Sequence, residues 1–247
     1  MKFIVSSTEL LSHLQAISRV INSKNSLPIL DNFLFDLKGT HLTMTASDIE
    51  TTLITSMDVE SAEGEGKVAV ASKLLLDTLR EFSEQPLTFT IDDSNLSMVI
   101  TSANGTYNFI GQNGDEYPRL PLLADESRVL NMQVSLLAAG ITKTLFCTAD
   151  DELRPVMNGI YFDIMHDGIT LVATDAHKLV RFRTTYNSAT LTEEEEKVSF
   201  ILPKKPANML KNILPKETGN VEVRFDSKNA YFSLSNYTMI CRQVEGK

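Results

Sequence analysis

The chain has 247 residues, of which 43% are hydrophobic and 22% charged, and it carries a formal net charge of −9. This composition can bury a core, which excludes disordered and fibrous classes, and no apolar run reaches the roughly 18 residues of a membrane span. The acidic balance excludes a uniformly basic nucleic-acid-binding surface, but it leaves room for a basic stripe on one face.

The cysteine content and the first residues of the chain bear on the compartment. Cys147 and Cys241 form neither a disulfide framework nor a zinc-binding spacing, and the N-terminal segment has no apolar signal region. Cys147 lies in an apolar stretch, which favours a buried structural thiol. The sequence therefore predicts a cytoplasmic protein with reduced thiols.

The sequence repeats itself without gaps at an offset of 127 residues. Residues 28–36 align with residues 155–163, and residues 42–48 align with residues 169–175, with a proline, a Phe-Asp pair, a threonine, an alanine and an aspartate identical. A register this long favours two copies of one module over chance. We expect one module at residues 1–124 and a second at residues 125–247.

Both modules have the same predicted order of elements. In the first, a capping box at 6–9 precedes a helix with apolar residues from Leu10 to Ile21. The elements that follow in the first module are strands 32–37 and 41–46, strand 68–71, helix 73–82 and a hairpin of 87–91 with 96–101. Those of the second module are a helix from 135, strands 159–165 and 168–173, strand 198–202, helix 204–213 and a hairpin of 221–225 with 230–234.

Turn residues and charge runs separate these elements. Residues 111–131 contain Gly114, Pro118 and Pro121 and are interpreted as the boundary between modules, and Glu193–Glu196 as a solvated loop. Runs of strands without regular β-α-β alternation predict an α+β fold. In this fold, antiparallel sheets carry the two helices of each module on one face.

The second helix of each module carries a pair of cations spaced by seven residues. Lys73 and Arg80 form the first pair, Lys204 and Lys211 the second, and each member of the second lies 131 residues after its counterpart. Seven residues bring side chains back to one helix face. Ordinary solubilising lysines remain an alternative, but the recurrence in an acidic chain favours contacts with phosphate groups.

Motifs for enzyme chemistry are weak in this sequence. It has no phosphate-binding loop, dinucleotide fingerprint or zinc motif. Asp175 and His177 would share a face if they lay on a strand, which permits an acid–base pair, but the matching Asp48-Ile49-Glu50 has no histidine. Asp150-Asp151-Glu152 could ligate a metal and is interpreted as a solvated turn. No metal or other cofactor is predicted.

Two aromatic residues alternate at the end of the first module. Tyr107 and Phe109 lie on one face of a predicted strand at 106–110. Aromatic residues at such positions belong either to the core or to a subunit contact through an exposed sheet edge.

Four segments together resemble the bacterial sliding clamp family, the beta subunits of DNA polymerase III. They are Met1-Lys2-Phe3, Leu27-Pro28-Ile29-Leu30, Ala173-Thr174-Asp175-Ala176-His177-Lys178-Leu179 and Pro203-Lys204-Lys205. The likeness runs through the whole chain. It implies the DNA clamp fold, a ring of repeated modules with helices lining the hole. It also implies a non-catalytic processivity factor that encircles double-stranded DNA.

The resemblance implies partners and an assembly. The partners are the polymerase III catalytic subunit, the clamp loader and repair proteins, bound through short peptide motifs. Family members have three modules and close as a head-to-tail dimer, so this chain is interpreted as a fragment or a form that lacks the third module. A two-module trimeric clamp of the archaeal and eukaryotic type is the alternative, and a hydrolase that uses Asp175 and His177 is less favoured.

The resemblance also assigns residues to three sites. For DNA binding it assigns Lys24, Lys73, Arg154, Lys204 and Lys205, and the predicted set is completed by Arg80 and Lys211 from the cation pairs above. The predicted partner-peptide groove is Met157, Thr174, Ala176, His177, Lys178 and Leu179, where the family more often has Gly at 176 and Arg at 178. Tyr107 and Phe109 match the ring-closing edge.

Overall fold

The computed structural model describes residues 1–22, 25, 27–121, 123–124, 127–151, 153–185 and 198–246. The chain divides into two compact units, Met1–Leu120 and Pro121–Lys247. The predicted loop at Glu193–Glu196 lies outside the described residues.

Unit 1 consists of antiparallel strands and two helices. Its helices are α1 (Ser7–Ile17) and α2 (Ser72–Arg80). Its strands are β1 (Lys2–Ser6), β2 (Asn32–Lys38), β3 (His41–Ser47), β4 (Thr51–Asp58), β5 (Ser61–Glu63), β6 (Gly66–Ala71), β7 (Pro86–Ile91), β8 (Ser97–Ser102), β9 (Gly105–Ile110) and β10 (Gln112–Asn113). Hydrogen-bonded neighbours follow the orders β5-β1-β7-β8-β9 and β10-β6-β2-β3-β4.

The core of unit 1 follows from the two periodicities of its sequence. Alternate residues of β2, among them Phe33 and Phe35, are fully buried, and Leu10, Leu14 and Ile17 bury one face of α1. The rings of Phe3 and Phe89 stack with centroids 4.8 Å apart. Burying each such aromatic side chain contributes about 1.5–3 kcal/mol. The predicted capping box is present in part, because the Ser6 side chain accepts the backbone N–H of Glu9.

Tyr117 belongs to this core although it comes from the predicted boundary segment. Its side chain packs on Leu30 and Ala69, and its hydroxyl donates to the carbonyl oxygen of Asn32 at 3.4 Å. The chain reaches this position past Gly114, where a Cβ atom would lie 2.6 Å from that of Lys67, so glycine is required by the close approach. The predicted boundary segment 111–131 therefore contributes a core residue to unit 1, and the two units divide within it, between Leu120 and Pro121.

Unit 2 repeats this plan. Its helices are α3 (Val134–Thr144) and α4 (Lys204–Ile213). Its strands are β11 (Arg128–Gln133), β12 (Gly159–Met165), β13 (Gly168–Thr174), β14 (Leu179–Thr185), β15 (Val198–Pro203), β16 (Asn220–Phe225), β17 (Asn229–Ser233) and β18 (Tyr237–Arg242). Hydrogen-bonded neighbours follow the orders β14-β13-β12-β15 and β18-β17-β16-β11.

The core of unit 2 also has an aromatic centre. Phe162 and Phe200 are cross-strand neighbours whose rings stack 4.6 Å apart, and Phe225 packs on Phe200. Both cysteines are buried free thiols, which confirms the prediction for Cys147. Across the described residues, the mostly antiparallel sheets and four α-helices confirm the α+β class.

The strand pairing corrects the predicted alignment of the second helices. Asn32 pairs with Ala71, and the corresponding Gly159 pairs with Pro203, so the first residue of α4, Lys204, corresponds to Ser72 rather than to Lys73. The strand pairing thus gives an offset of 132 at the helix start. The buried faces of the two helices keep the offset of 131, because Leu75, Leu76 and Leu79 of α2 correspond to Pro206, Ala207 and Leu210 of α4.

Candidate nucleic-acid and partner-binding sites

The α2 helix is amphipathic, with its cations on the outer face. Leu75, Leu76 and Leu79 are buried, whereas Lys73 and Arg80 are exposed. The Arg80 guanidinium donates to a carboxylate oxygen of Asp77 one turn earlier, at 2.7 Å. This pair neutralises part of the positive charge of the face, while an exposed ion pair of this kind adds at most about 1 kcal/mol of stability.

The α4 helix is built in the same way but presents its cations differently. Its first residue, Lys204, is half-buried, its backbone N–H donates to the Asn158 carbonyl at 2.8 Å, and its ammonium bonds the Asp150 carboxylate at 2.5 Å. Lys205 is half-buried, and Lys211 is exposed in the last turn. The cation at the end of α4 is therefore the more accessible one.

Arg154 is part of a tight turn held by Asp151. The carboxylate of Asp151 accepts the Nε–H of Arg154 at 2.7 Å and the backbone N–H of Leu153 at 2.9 Å. The hydrogen bond from Arg154 is the largest of several causes that lower the pKa of Asp151. Asp150 and Asp151 are thus engaged by cations and amides, and the described residues contain no cluster able to hold a metal ion. Glu152 lies outside the described residues.

The predicted DNA-binding residues differ in how free their charge is. Within the described part of the chain, Lys73 and Lys211 form no ion pair, whereas Arg80, Arg154 and Lys204 each share their charge with an aspartate. Lys24 lies outside the described residues. The free charges therefore stand one on α2 and one on α4.

Two further cations lie at the C-terminal ends of α1 and α3, the helices that pack on α2 and α4, and were not predicted from the sequence. Arg19 is exposed just after α1, and Lys143 is exposed in the last turn of α3. The Lys143 ammonium stands 4.9 Å from the ring centroid of Phe182, a favourable cation–π distance. The sequence could have indicated both residues, because cations are favoured at the C-terminal ends of helices.

The predicted partner surface is organised around the turn between β13 and β14. Asp175 accepts the backbone N–H groups of His177 at 3.0 Å and Lys178 at 2.9 Å through one carboxylate oxygen. The Thr174 hydroxyl donates to the Lys178 carbonyl at 2.8 Å and accepts the N–H of Ala176. The turn therefore closes on itself and fixes the direction in which β14 leaves it.

This geometry corrects the acid–base reading of the segment. Asp175 and His177 lie in a turn and not on a strand, so the shared face that the pair requires is absent. Hydrogen bonds, above all from the Lys178 and His177 amides, lower the pKa of Asp175. A lowered pKa makes the carboxylate a weaker base, and one of its oxygens is already occupied by two amides.

Apolar side chains surround the turn at the same end of the sheet. Met157 is half-buried, Leu179 is 66% exposed, and the neighbouring loop exposes Leu153 at 92%. Phe146 is 64% exposed, and the ammonium group of Lys178 lies 5.9 Å from the centroid of its ring. Exposed large apolar residues in such numbers mark an interaction surface. Leu153 and Phe146 were not predicted, although apolar residues in short polar loops could have indicated them.

The β9 strand is an edge strand of its sheet and carries the two predicted aromatic residues. Phe109 is buried, whereas Tyr107 is 39% exposed and packs edge-on against Phe82 with centroids 5.1 Å apart. The backbone N–H of Gly111 donates to the Leu96 carbonyl oxygen. Because hydrogen-bonded and non-hydrogen-bonded pairs alternate along antiparallel strands, the backbone N–H and C=O groups of Thr106, Asn108 and Ile110 point away from β8. Phe109 is thus a core residue, and Tyr107 stands at a free edge.

Comparison with known families accounts for both units. Residues 1–121 match the model of the DNA polymerase III beta subunit N-terminal domain, and residues 131–247 match that of the central domain. The chain belongs to the DNA polymerase III beta subunit family. The sheet pairs and helix pairs described above are therefore those of its first two domains.

Curated members of the family share moderate sequence identity with this chain. The beta sliding clamp of Halalkalibacterium halodurans is 26% identical over 254 residues, which cover 100% of this chain and 66% of that protein. The beta sliding clamp of Synechococcus elongatus is 30% identical over 196 residues, 78% of this chain and 52% of that protein. The chain thus spans about two thirds of the length of the first relative.

Solved clamp structures have the same fold. A sliding clamp from Pseudomonas aeruginosa bound to griselimycin superposes with a TM-score of 0.91 at 20% identity, covering 100% of this chain and 65% of that one. The clamp of Bartonella birtlesii, also bound to griselimycin, gives 0.90 at 25% identity, with 100% and 66% covered. These likenesses establish the sliding clamp fold. Among the described residues, no helix is long and apolar enough to cross a membrane.

Proposed function

We propose that this chain acts as a DNA sliding clamp, a non-catalytic processivity factor that surrounds duplex DNA and tethers a replicative polymerase in the cytoplasm. The observation that carries the proposal is that the second helix of each unit has an exposed cation on its outer face, Lys73 on α2 and Lys211 on α4, in a chain of the beta subunit family. Relatives named as beta sliding clamps support it. The mechanism is topological: closure around DNA prevents dissociation, and weak phosphate contacts permit sliding.

The charge pattern suits sliding better than tight binding. Lys73 and Lys211 have no ion-pair partner among the described residues, whereas Arg80, Arg154 and Lys204 are held by neighbouring aspartates. Phosphate contacts of this kind contribute sequence-independent affinity that salt weakens. Because the whole chain carries a net charge of −9, duplex binding would rely on these few helical cations rather than on the whole surface.

The apolar surface around the 174–179 turn is proposed as the site for partner peptides. Met157 and Leu179 offer apolar area, and Lys178 adds a positive charge beside them, so an apolar peptide with an acidic residue would fit. Expected partners are the polymerase III catalytic subunit, the clamp loader and repair proteins. Lys178 stands where the family more often has arginine. Its ammonium group is a compact point charge, whereas a guanidinium group can donate two parallel hydrogen bonds to a carboxylate.

Self-association is proposed to use the free edge of β9 at Tyr107. The length of the relatives favours a family assembly that involves a further module, and the two-module trimer is the alternative. Sedimentation equilibrium of the chain as given distinguishes these assemblies. A monomer supports the first, because the mate of the edge is then missing, and a stable trimer supports the second.

Retention on DNA tests the function itself. The chain is incubated with circular and with linear duplex DNA of the same sequence, together with a clamp loader and, in a second arm, a full-length bacterial clamp. A clamp that closes alone or by mixed assembly stays on circles and slides off linear ends. Equal retention on both forms at every salt concentration would contradict topological binding.

A further inference from the structure

The sequence contains three Asn-Gly pairs, and the structure treats them very differently. They are Asn104-Gly105, Asn113-Gly114 and Asn158-Gly159. In such a pair the glycine has no Cβ to block its own backbone nitrogen, and its backbone is free to rotate. That nitrogen can therefore reach the side-chain carbonyl carbon of the asparagine. Whether it does so depends on how firmly each pair is held.

Asn158 is locked by hydrogen bonds and packing. Its side-chain oxygen accepts the backbone N–H of Asp151 at 2.9 Å, and its side-chain nitrogen donates to the Asp151 carbonyl at 2.9 Å. Gly159 is buried, and a Cβ placed on it would lie 2.6 Å from the Leu202 carbonyl oxygen. Rotation of the side chain onto the next nitrogen would break both hydrogen bonds.

Asn113 is also held. Its side-chain oxygen accepts the N–H of Asp115 at 3.0 Å, and the residue pairs with Val68 in β10. Gly114 lies so close to Lys67 that a Cβ would come within 2.6 Å of the lysine Cβ. The peptide bond after Asn113 therefore has no room to turn.

Asn104 is free in comparison. It is exposed at the tip of the β8–β9 hairpin, and its side chain forms no hydrogen bond among the residues that the structure describes. A Cβ placed on Gly105 would meet nothing within 4 Å, and Gly105 does not have positive φ. The hydrogen bonds at the tip hold the backbone and not the Asn104 side chain: the Asn104 N–H donates to the Ser102 hydroxyl at 3.3 Å, and that hydroxyl donates to the Gly105 carbonyl at 3.1 Å. The Ala103 N–H donates to the Gln85 side-chain oxygen at 2.9 Å, and the strands close at the Ser102–Gly105 pair.

We propose that Asn104 is a site of spontaneous deamidation and isoaspartate formation. The Gly105 nitrogen attacks Cγ of Asn104 and loses its proton, the side-chain amide leaves as ammonia, and a succinimide ring forms. Water then opens the ring at either carbonyl and gives aspartate or isoaspartate. The net reaction converts an amide and water into a carboxylic acid and ammonia, and water is its only co-reactant.

The product changes the edge of the sheet chemically and geometrically. Either outcome places a carboxylate at the start of β9, and isoaspartate adds one methylene to the backbone of a two-residue turn. The extra atom displaces the Ser102–Gly105 pair, which sets the register of β8 and β9. The site is independent of the proposed clamp function, because it depends only on the hairpin.

Ageing of the folded chain tests the proposal. The protein is held at mildly alkaline pH, sampled over time, digested and mapped by tandem mass spectrometry for replacement of an amide by an acid. Asn104 is expected to convert at least about tenfold faster than Asn158, because reaction at Asn158 first requires the loss of two hydrogen bonds. Isoaspartate is expected as the main product, detectable by an isoaspartyl methyltransferase with a labelled methyl donor.

The matched variant is Gly105→Ala, which the open space around Gly105 accommodates. Its methyl group hinders the attacking nitrogen, so conversion at Asn104 is expected to fall strongly while the circular dichroism and the unfolding midpoint stay unchanged. Equal rates at Asn104 and Asn158, or an unchanged rate in the variant, would overturn the proposal. Wild-type chain unfolded in urea serves as the reference in which all three sites should react.

Discussion

Asp175 accepts the backbone N–H of Lys178 at 2.9 Å, and Asp48, 127 residues earlier, accepts that of Thr51 at 2.7 Å. The same aspartate therefore holds the same turn in both units. In each turn the residue after the aspartate has a left-handed backbone, with φ of 80° at Ile49 and 73° at Ala176. The repeat thus preserves the geometry of the turn, while the side chains that the turn presents differ.

The left-handed conformation of Ala176 leads to the first prediction. A residue with a Cβ pays for φ of 73°, whereas glycine does not, so Ala176→Gly should raise the free energy of unfolding by about 1 kcal/mol. The control is Ala103→Gly in the β8–β9 turn, which does not have positive φ and should be destabilised by about 0.5–1 kcal/mol. Urea unfolding measures both. If Ala176→Gly lost as much stability as the control, the backbone at Ala176 would not be strained.

The carboxylate of Asp175 leads to a prediction on pH. Because the amides of Lys178 and His177 lower its pKa in the folded chain, the stabilisation by Asp175 is present above the unfolded-state pKa. It is lost as pH falls through the folded-state pKa. Asp175→Asn keeps an acceptor oxygen and should remove only this acid-range dependence, whereas Asp175→Ala should also weaken partner-peptide binding. Peptide affinity and urea unfolding midpoints are measured for both variants across the acid pH range. Equal peptide affinities and equal pH dependence in the two variants would refute the prediction.

His13 on α1 gives an effect at higher pH. Its Nδ1 lies 2.6 Å from the Thr55 hydroxyl, and burial lowers its pKa below the ordinary 6.5, an effect that the Glu9 carboxylate opposes. The neutral form therefore stabilises the fold above pH 6.5, and this contribution is lost as pH falls through the folded-state pKa. We expect His13→Gln to flatten the stability profile of unit 1 in that range, as followed by chemical unfolding. An unaltered profile would count against the role of this histidine.

The two free cations lead to a prediction on DNA binding. Lys73→Glu and Lys211→Glu should each weaken duplex binding regardless of sequence and reduce the slope of log K against log salt by about one. The comparison variant is Lys228→Glu, exposed in the β16–β17 turn and distant in sequence from both helices. Fluorescence anisotropy over a salt series measures the slopes. Slopes that change only in Lys228→Glu would reverse the assignment.

The exposed leucine at the start of β14 leads to a prediction that separates binding from stability. Leu179 is 66% exposed, so Leu179→Ser should change the free energy of unfolding by less than about 0.5 kcal/mol. The same change should abolish most of the affinity for a clamp-binding peptide, because apolar anchors dominate such interfaces. Titration calorimetry and unfolding of the same preparation check both expectations. Undiminished peptide affinity would place the site elsewhere.

Local periodicity predicted the four helices and the central strands, where the pattern and the core agree, but it did not predict β1, β4, β11, β14 or β18. Alternate burial along β12 and β13 and the buried leucines of α2 follow directly from period-two and helical spacing. The helix at 204–213 has the predicted bounds for the same reason. The repeat then supplied the order of elements in unit 2.

Features that depend on long-range packing were not predictable in this way. The burial of Tyr117 and the ion pair of Lys204 with Asp150 join residues distant in sequence, which periodicity does not report. The turn at Asp175 was not predicted as a turn, although the predicted strand ended before it at residue 173, because the side chains of Thr174 and Asp175 supply its hydrogen bonds. The sequence thus named the residues of the proposed groove, whereas the hydrogen bonds and ion pairs around them are visible only in the structure.

The central claim is that the outer faces of α2 and α4 approach duplex DNA in both units. Site-specific photocrosslinking tests it most directly, with a photoreactive residue placed in turn at positions 73, 211 and 228 of the full chain. The account predicts DNA adducts from positions 73 and 211 at low salt, and none above background from position 228. Adducts confined to position 228, or absent from one of the two helices, would contradict it.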